Sequence, residues 1–133
     1  MIFDIEHQII NAFVIKRKKE RALFELKDSE KRDNFIWNIE EYFDSRYVFQ
    51  IEQHIASSQE LYKILRAHGA PDMCYAMGIY APDYDGKIIG LREALNLSFR
   101  RGPVLLSCIH GKLAYYEAHP QCVISPRYIL ARK

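Results

Sequence analysis

Apolar residues near the start of the chain recur at steps of three or four. Ile2, Ile5, Ile9 and Phe13, with Ile10 and Val14 beside them, mark one side of a helix over roughly 2–15. After the run Lys16-Arg17-Lys18-Lys19-Glu20-Arg21, the residues Ala22, Leu23 and Leu26 keep helical spacing, although Ala22, Phe24 and Leu26 also alternate as in a strand. Asp28 or Ser29 can accept hydrogen bonds from free backbone amides. From there Phe35, Ile36, Ile39, Tyr42 and Phe43 carry a helix as far as Asp44-Ser45. Between Tyr47 and Ile55 the two periods overlap: Tyr47, Phe49 and Ile51 alternate, while Val48, Ile51 and Ile55 recur helically, and the reading leans to helix. Ser57 with Glu60 three residues later forms a capping box ahead of Leu61, Ile64 and Leu65, and Gly69 followed by Pro71 ends that helix.

The pattern changes at residue 73. Met73 to Tyr80 is a short apolar and aromatic run, followed by turn chemistry in Pro82-Asp83-Tyr84-Asp85-Gly86. Leu91, Ala94, Leu95 and Phe99 make a short helix closed by Arg100-Arg101-Gly102-Pro103. Val104–Ile109, Lys112–Ala118 and Ser125–Ala131 then read as strands, with His110-Gly111 as the hairpin loop between the first two. The expected fold is α+β in a single domain over 1–133, mainly helical over 1–70 and sheet-forming over 71–133. The helical half is expected to pack on one face of a sheet of about four antiparallel or mixed strands that contains one inserted helix.

Length and composition agree with this picture. A chain of 133 residues, 49% hydrophobic and 27% charged, can bury an ordinary core without disulfides or metals to hold it. Cys74, Cys108 and Cys122 are odd in number and widely spaced, which points to a reducing compartment. No stretch approaches the ~20 apolar residues of a membrane span, and the start of the chain lacks the features of a signal peptide, so a cytoplasmic location is expected.

The formal net charge is only +2, but its distribution is uneven: residues 16–32 carry +4 and residues 33–60 carry −5. Lys16, Arg17, Lys18, Lys19 and Arg21 could neutralise phosphates. The competing reading is a solvated helix face, or a basic patch that meets the acidic Glu40, Glu41 and Asp44 of a second copy in a homodimer.

Several constellations resemble reactive sites. Cys108, His110, His119 and Cys122 are a zinc-like set, but the hairpin at His110-Gly111 would put the two halves of the set roughly 25 Å apart at ~3.3 Å per residue. The same separation removes Glu117 from a Cys108–His110 pair, which could act as thiol and base only if His110 folds back over the strand. Pro71-Asp72 with Asp85-Gly86-Lys87 imitates the carboxylate and lysine set of metal-dependent nucleases, yet its second part lies in a turn. Arg100-Arg101-Gly102 could grip an anion, although two arginines at a helix end already suit its dipole.

Glu117 ends the apolar stretch Leu113-Ala114-Tyr115-Tyr116 and needs a partner if buried. Arg127 on the returning strand can supply one, with Tyr116 and Tyr128 near, as a structural clamp or as the floor of a polar pocket. Six of the nine tyrosines, Tyr115 and Tyr128 among them, fall in the sheet half and would suit a contact surface. The common nucleotide, zinc-protease and serine-hydrolase motifs are absent.

The resulting expectation is a small interaction or regulatory module with a protein partner or a second copy, without catalysis, cofactor or metal. Two other readings remain. One is a nucleic-acid-associated protein using residues 16–32. The other is a small hydrolase centred on Glu117, Arg127 and Tyr116, with His110 and Cys108 as further candidates.

Overall fold

Ile5, Ile9, Ile10 and Phe13 are buried along one side of the first helix, α1 (Phe3–Phe13), as their spacing requires. The computed structural model describes residues 2–51, 55, 57–79, 83–120 and 126–132. After α1 come a 3₁₀ turn at Lys16–Lys18, then α2 (Lys19–Lys27) and α3 (Ser29–Trp37). Asp28 caps α3 by accepting from the Glu30 amide, as expected. The helix does not continue to Ser45. It stops at Trp37, a 3₁₀ turn covers Ile39–Glu41, and Phe43 forms an isolated antiparallel bridge with Val14. Ile39 and Tyr42 reach the core from this looser turn, so their helical spacing reports burial and not a continuous helix.

The stretch left between helix and strand resolves as strand, against the reading that leaned to helix: β1 is Val48–Gln50. Residues 52–54 of that stretch lie outside the described residues. Helix α4 (Ser58–Ala67) begins where its capping box predicts, the Ser57 hydroxyl accepting from the Glu60 amide, and Gly69 follows with φ +97°. Strand β2 (Met73–Gly78), strand β3 (Lys87–Gly90), helix α5 (Leu91–Ser98) and strands β4 (Val104–Ile109), β5 (Leu113–Glu117) and β6 (Arg127–Ala131) complete the chain. Gly111, at φ +79°, lies in the β4–β5 hairpin turn with His110.

The described strands form one six-stranded antiparallel sheet in the order β1-β6-β5-β4-β2-β3. About four strands were expected. The additional two, β1 and β3, are its short outer edges, where little apolar alternation is needed. Both faces of the sheet are covered, which corrects the expectation of one. Tyr75, Met77, Leu105, Ala114, Tyr116 and Leu130 pack with α1, α2 and α3. Cys74, Ala76, Leu106, Cys108, Tyr115 and Ile129 pack with α4 and α5. Every second residue of the central strands thus faces each helical layer, which is why these strands read as continuous apolar runs. No described helix is long and apolar enough to cross a membrane.

Candidate functional site

Glu117 ends β5 directly opposite Arg127 of β6, the pairing anticipated from sequence. Arg127 Nε donates to Glu117 Oε1 at 2.9 Å, the Tyr115 hydroxyl donates to the same oxygen at 2.8 Å, and the Arg101 amide donates to Oε2 at 3.2 Å. Glu117 is wholly buried, and burial raises its carboxyl above the ordinary range against the opposing pull of Tyr115 and Arg127. Tyr116 does not take part. Strand alternation turns it to the opposite face, where it stacks on Tyr128 with centroids 6.2 Å apart and meets Phe43 edge-on. The backbone closes over this corner: a Cβ at Gly102 would lie 2.3 Å from the Ala118 carbonyl oxygen. All three donors hold Glu117 in place, and the Arg127 guanidinium lies over the Phe99 ring at 4.5 Å. This is the geometry of a clamp between β5, β6 and the segment before β4.

The proposed thiol and imidazole pair does not form. Cys108 faces the α4 and α5 layer, its thiol pushed well up by burial, whereas His110 Nδ1 shares a 2.7 Å hydrogen bond with Ser107 Oγ. The cause is the irregularity in β4 between Ser107 and Ile109, which alters the register just before the turn. Ser107 is itself buried, so the pair ties the hairpin together. Of the zinc-like set, His119 rests against Trp37 and Cys122 lies outside the described residues; among the described residues no three metal-ligating side chains converge.

Two buried charged groups were missed in the sequence reading. Arg32, counted there with the basic segment, is 2% exposed; its Nη1 donates to Glu6 Oε1 at 2.7 Å and its Nη2 to Asp85 Oδ1 at 3.0 Å. The Tyr75 hydroxyl donates to the other Glu6 oxygen, and Asp85 Oδ1 also accepts from the Gly78 amide. Elsewhere Glu25 Oε1 accepts from the Tyr42 hydroxyl at 2.8 Å and from Arg21 Nε at 3.1 Å. A signal existed for the first group. Glu6 lies three, four and seven residues before Ile9, Ile10 and Phe13, and Arg32 stands in the same relation to Phe35, Ile36 and Ile39, so both occupy apolar stripes.

The tyrosine contact surface expected on the sheet is inside the molecule. Tyr75, Tyr115 and Tyr116 are fully buried, Tyr84 nearly so and Tyr128 half-buried; Tyr80 lies outside the described residues. Tyr115 and Tyr128 are spent on the Glu117 clamp and on the stack with Tyr116.

The basic segment divides between structural and open roles. Lys18 Nζ donates to the Glu41 carbonyl, and Lys19 Nζ to the Asn11 carbonyl in the last turn of α1. Arg132, just past β6, donates to the neighbouring Ala12 carbonyl, so two cations cap the negative end of α1. Lys16 and Arg17 remain exposed. Arg46, on the 3₁₀ turn Ser45–Tyr47, is fixed by Asp44 in a two-pronged pair, and the guanidinium groups of Arg46 and Arg132 lie over the Tyr47 ring at 5.1 and 4.5 Å. Lys16, Lys19, Arg46 and Arg132 line a depression of about 370 Å³, and a second of about 310 Å³, which shares Arg46, Tyr47 and Arg132, extends to Phe49 on β1. One carboxylate, Asp44, faces these four cations among the described lining residues. Sequence reading located Lys16 and Lys19 but not Arg46 and Arg132, which join them only because β6 ends beside α1.

Comparison with known proteins returned no match for this chain, either among protein families, curated proteins or solved structures.

Proposed function

We propose that this chain is a small non-catalytic binding module that holds nucleic acid by its phosphates in the groove of Lys16, Lys19, Arg46 and Arg132. The observation that supports this reading is the charge imbalance of a concave surface: four cations converge there, and the single carboxylate among its described lining residues is already paired with Arg46. Cations held close together with fewer anions than cations repel one another. A polyanion relieves that repulsion and releases its own condensed counterions, which makes such binding favourable and steeply salt-dependent. The Arg46 and Arg132 guanidinium groups are oriented by Asp44 and the Ala12 carbonyl, and each carries further N–H groups beyond those contacts that can donate charge-assisted hydrogen bonds to phosphate oxygens. A protein-contact role has less support, since the tyrosines that would have served it are mostly interior. A hydrolytic role has less support as well, since both oxygens of Glu117 are engaged by donors of the fold.

The test is fluorescence anisotropy of a labelled oligonucleotide against salt. Binding at about 50 mM salt is expected to weaken with a log–log slope near −0.9 for each phosphate contacted. Replacing Lys16→Gln together with Arg46→Gln should lower affinity about tenfold or more and flatten the slope by about two. Lack of binding at low salt, or a double variant that binds as the parent does, rejects the reading.

A further inference from the structure

We infer that the strand held in this groove is single, with one of its bases stacked on Phe49. The inference rests on the nucleic-acid reading above and adds what the aromatic lining selects. Phe49 lies on β1, which among the described strands is hydrogen-bonded only to β6 and forms an edge of the sheet. The residue is 56% exposed, so ring surface is left that a ligand can bury.

Exposed aromatics occur elsewhere in the molecule, but each in a different setting. Phe24 lies under the Lys31 ammonium at 4.3 Å, and Trp37 rests against His119. Phe3 begins α1 at the end opposite the cations, about 16 Å away for an 11-residue helix. Among these, Phe49 is the ring that lines the second depression, beside Arg46 and Arg132, which both depressions share. Tyr47 beside it is half-buried and already lies beneath two guanidinium groups, so the aromatic face left for a ligand belongs to Phe49.

A duplex keeps its base faces within its own stack and presents phosphates outward, so it could use the four cations while leaving Phe49 wet. A single strand can use both. Its phosphates meet Arg46 and Arg132 while an unstacked base covers Phe49, the pairing of cationic track and aromatic platform that favours unpaired strands whatever their sequence.

Anisotropy titrations with oligothymidylate of about ten nucleotides, within the roughly 4–16 that such sites span, and with a duplex of equal length would test this. Oligothymidylate is expected to bind about tenfold more tightly than the duplex. Phe49→Ala should remove about tenfold of that affinity and leave duplex binding unchanged. Phe49→Trp, in a Trp37→Phe background that leaves one indole, should retain affinity and show fluorescence quenching on oligothymidylate but not on duplex. Equal affinity for the two ligands, with Phe49→Ala silent on both, overturns the stacking inference. If the salt slope and the Lys16 and Arg46 dependence persist in that case, the reading beneath it stands. Failure of both ligands to bind at low salt overturns that reading too.

Discussion

Arg32 lies in the interior with Glu6 and Asp85 arranged around its guanidinium. Withdrawing such charges from water costs several kcal/mol per ion, recovered only if every donor and acceptor is met. Here the Tyr75 hydroxyl satisfies the Glu6 oxygen that Arg32 does not reach, and the Gly78 amide adds a second donor to the Asp85 oxygen that Arg32 Nη2 holds. Arg32→Met would leave two carboxylates without their cation, and a loss of about 3–5 kcal/mol is expected, read as a lower urea midpoint at unchanged m-value. A loss under about 1 kcal/mol would mean that the group is solvated and not interior. Glu117 and Arg127 could be paired from sequence because one hairpin and one return strand separate them. Glu6, Arg32 and Asp85 could not be, because α1, α3 and the β2–β3 turn meet only in the folded molecule. Tyr116 was misplaced for a different reason: in a run apolar on both faces, alternation alone does not say which side carries the polar group.

At the level of elements, local chemistry identified the ends that have specific caps. Ser57 and Gly69 bound α4 as their types demand, and Gly111 takes positive φ in the β4–β5 hairpin turn. It failed between Trp37 and β1, where Ile39, Tyr42 and Phe43 keep an apolar rhythm through a single 3₁₀ turn and not a continuous α-helix. Gly102 shows how an element boundary can depend on a distant strand. The segment leading into β4 passes so near the end of β5 that a methyl group there would meet the Glu117 and Ala118 carbonyl oxygens at 2.4 and 2.3 Å. Those atoms are backbone and cannot step aside, so Gly102→Ala should cost at least the ~1–3 kcal/mol of an overpacked core and loosen the Arg101–Glu117 contact. A thermal midpoint within a degree or so of the parent's would contradict this close approach.

For the molecule as a whole, two apolar layers pressed against one sheet leave several weak acids in surroundings that disfavour their charged forms. Burial pushes the Cys74 thiol up to about 12 from an ordinary 9.0, and burial with the Glu25 contact pushes the Tyr42 hydroxyl up to about 12 from 10.0. Cys108, Tyr75, Tyr115 and Tyr116 shift in the same direction. Folding therefore favours the protonated forms: the stability they confer is complete below the unfolded values and disappears as pH rises through the folded ones. The urea midpoint should thus fall steadily from about pH 9 towards pH 12, and Cys74→Ala should flatten the first part of that fall; a level profile to about pH 11 would refute the burial. The cationic groove also belongs to this scale, since it draws on the 3₁₀ turn after α1, the turn before β1 and the end of β6. The sequence by itself determined the class of the fold, the capped helix, the central strands and the Glu117–Arg127 pairing, because each depends on neighbours or on a short hairpin return. Only the tertiary structure decided that helices cover both faces, that Arg32 is interior, and that Arg46 and Arg132 join Lys16 and Lys19. Hydrophobic periodicity records that a side chain is buried but not which layer buries it, and charges far apart in the chain converge only when packing brings their elements together.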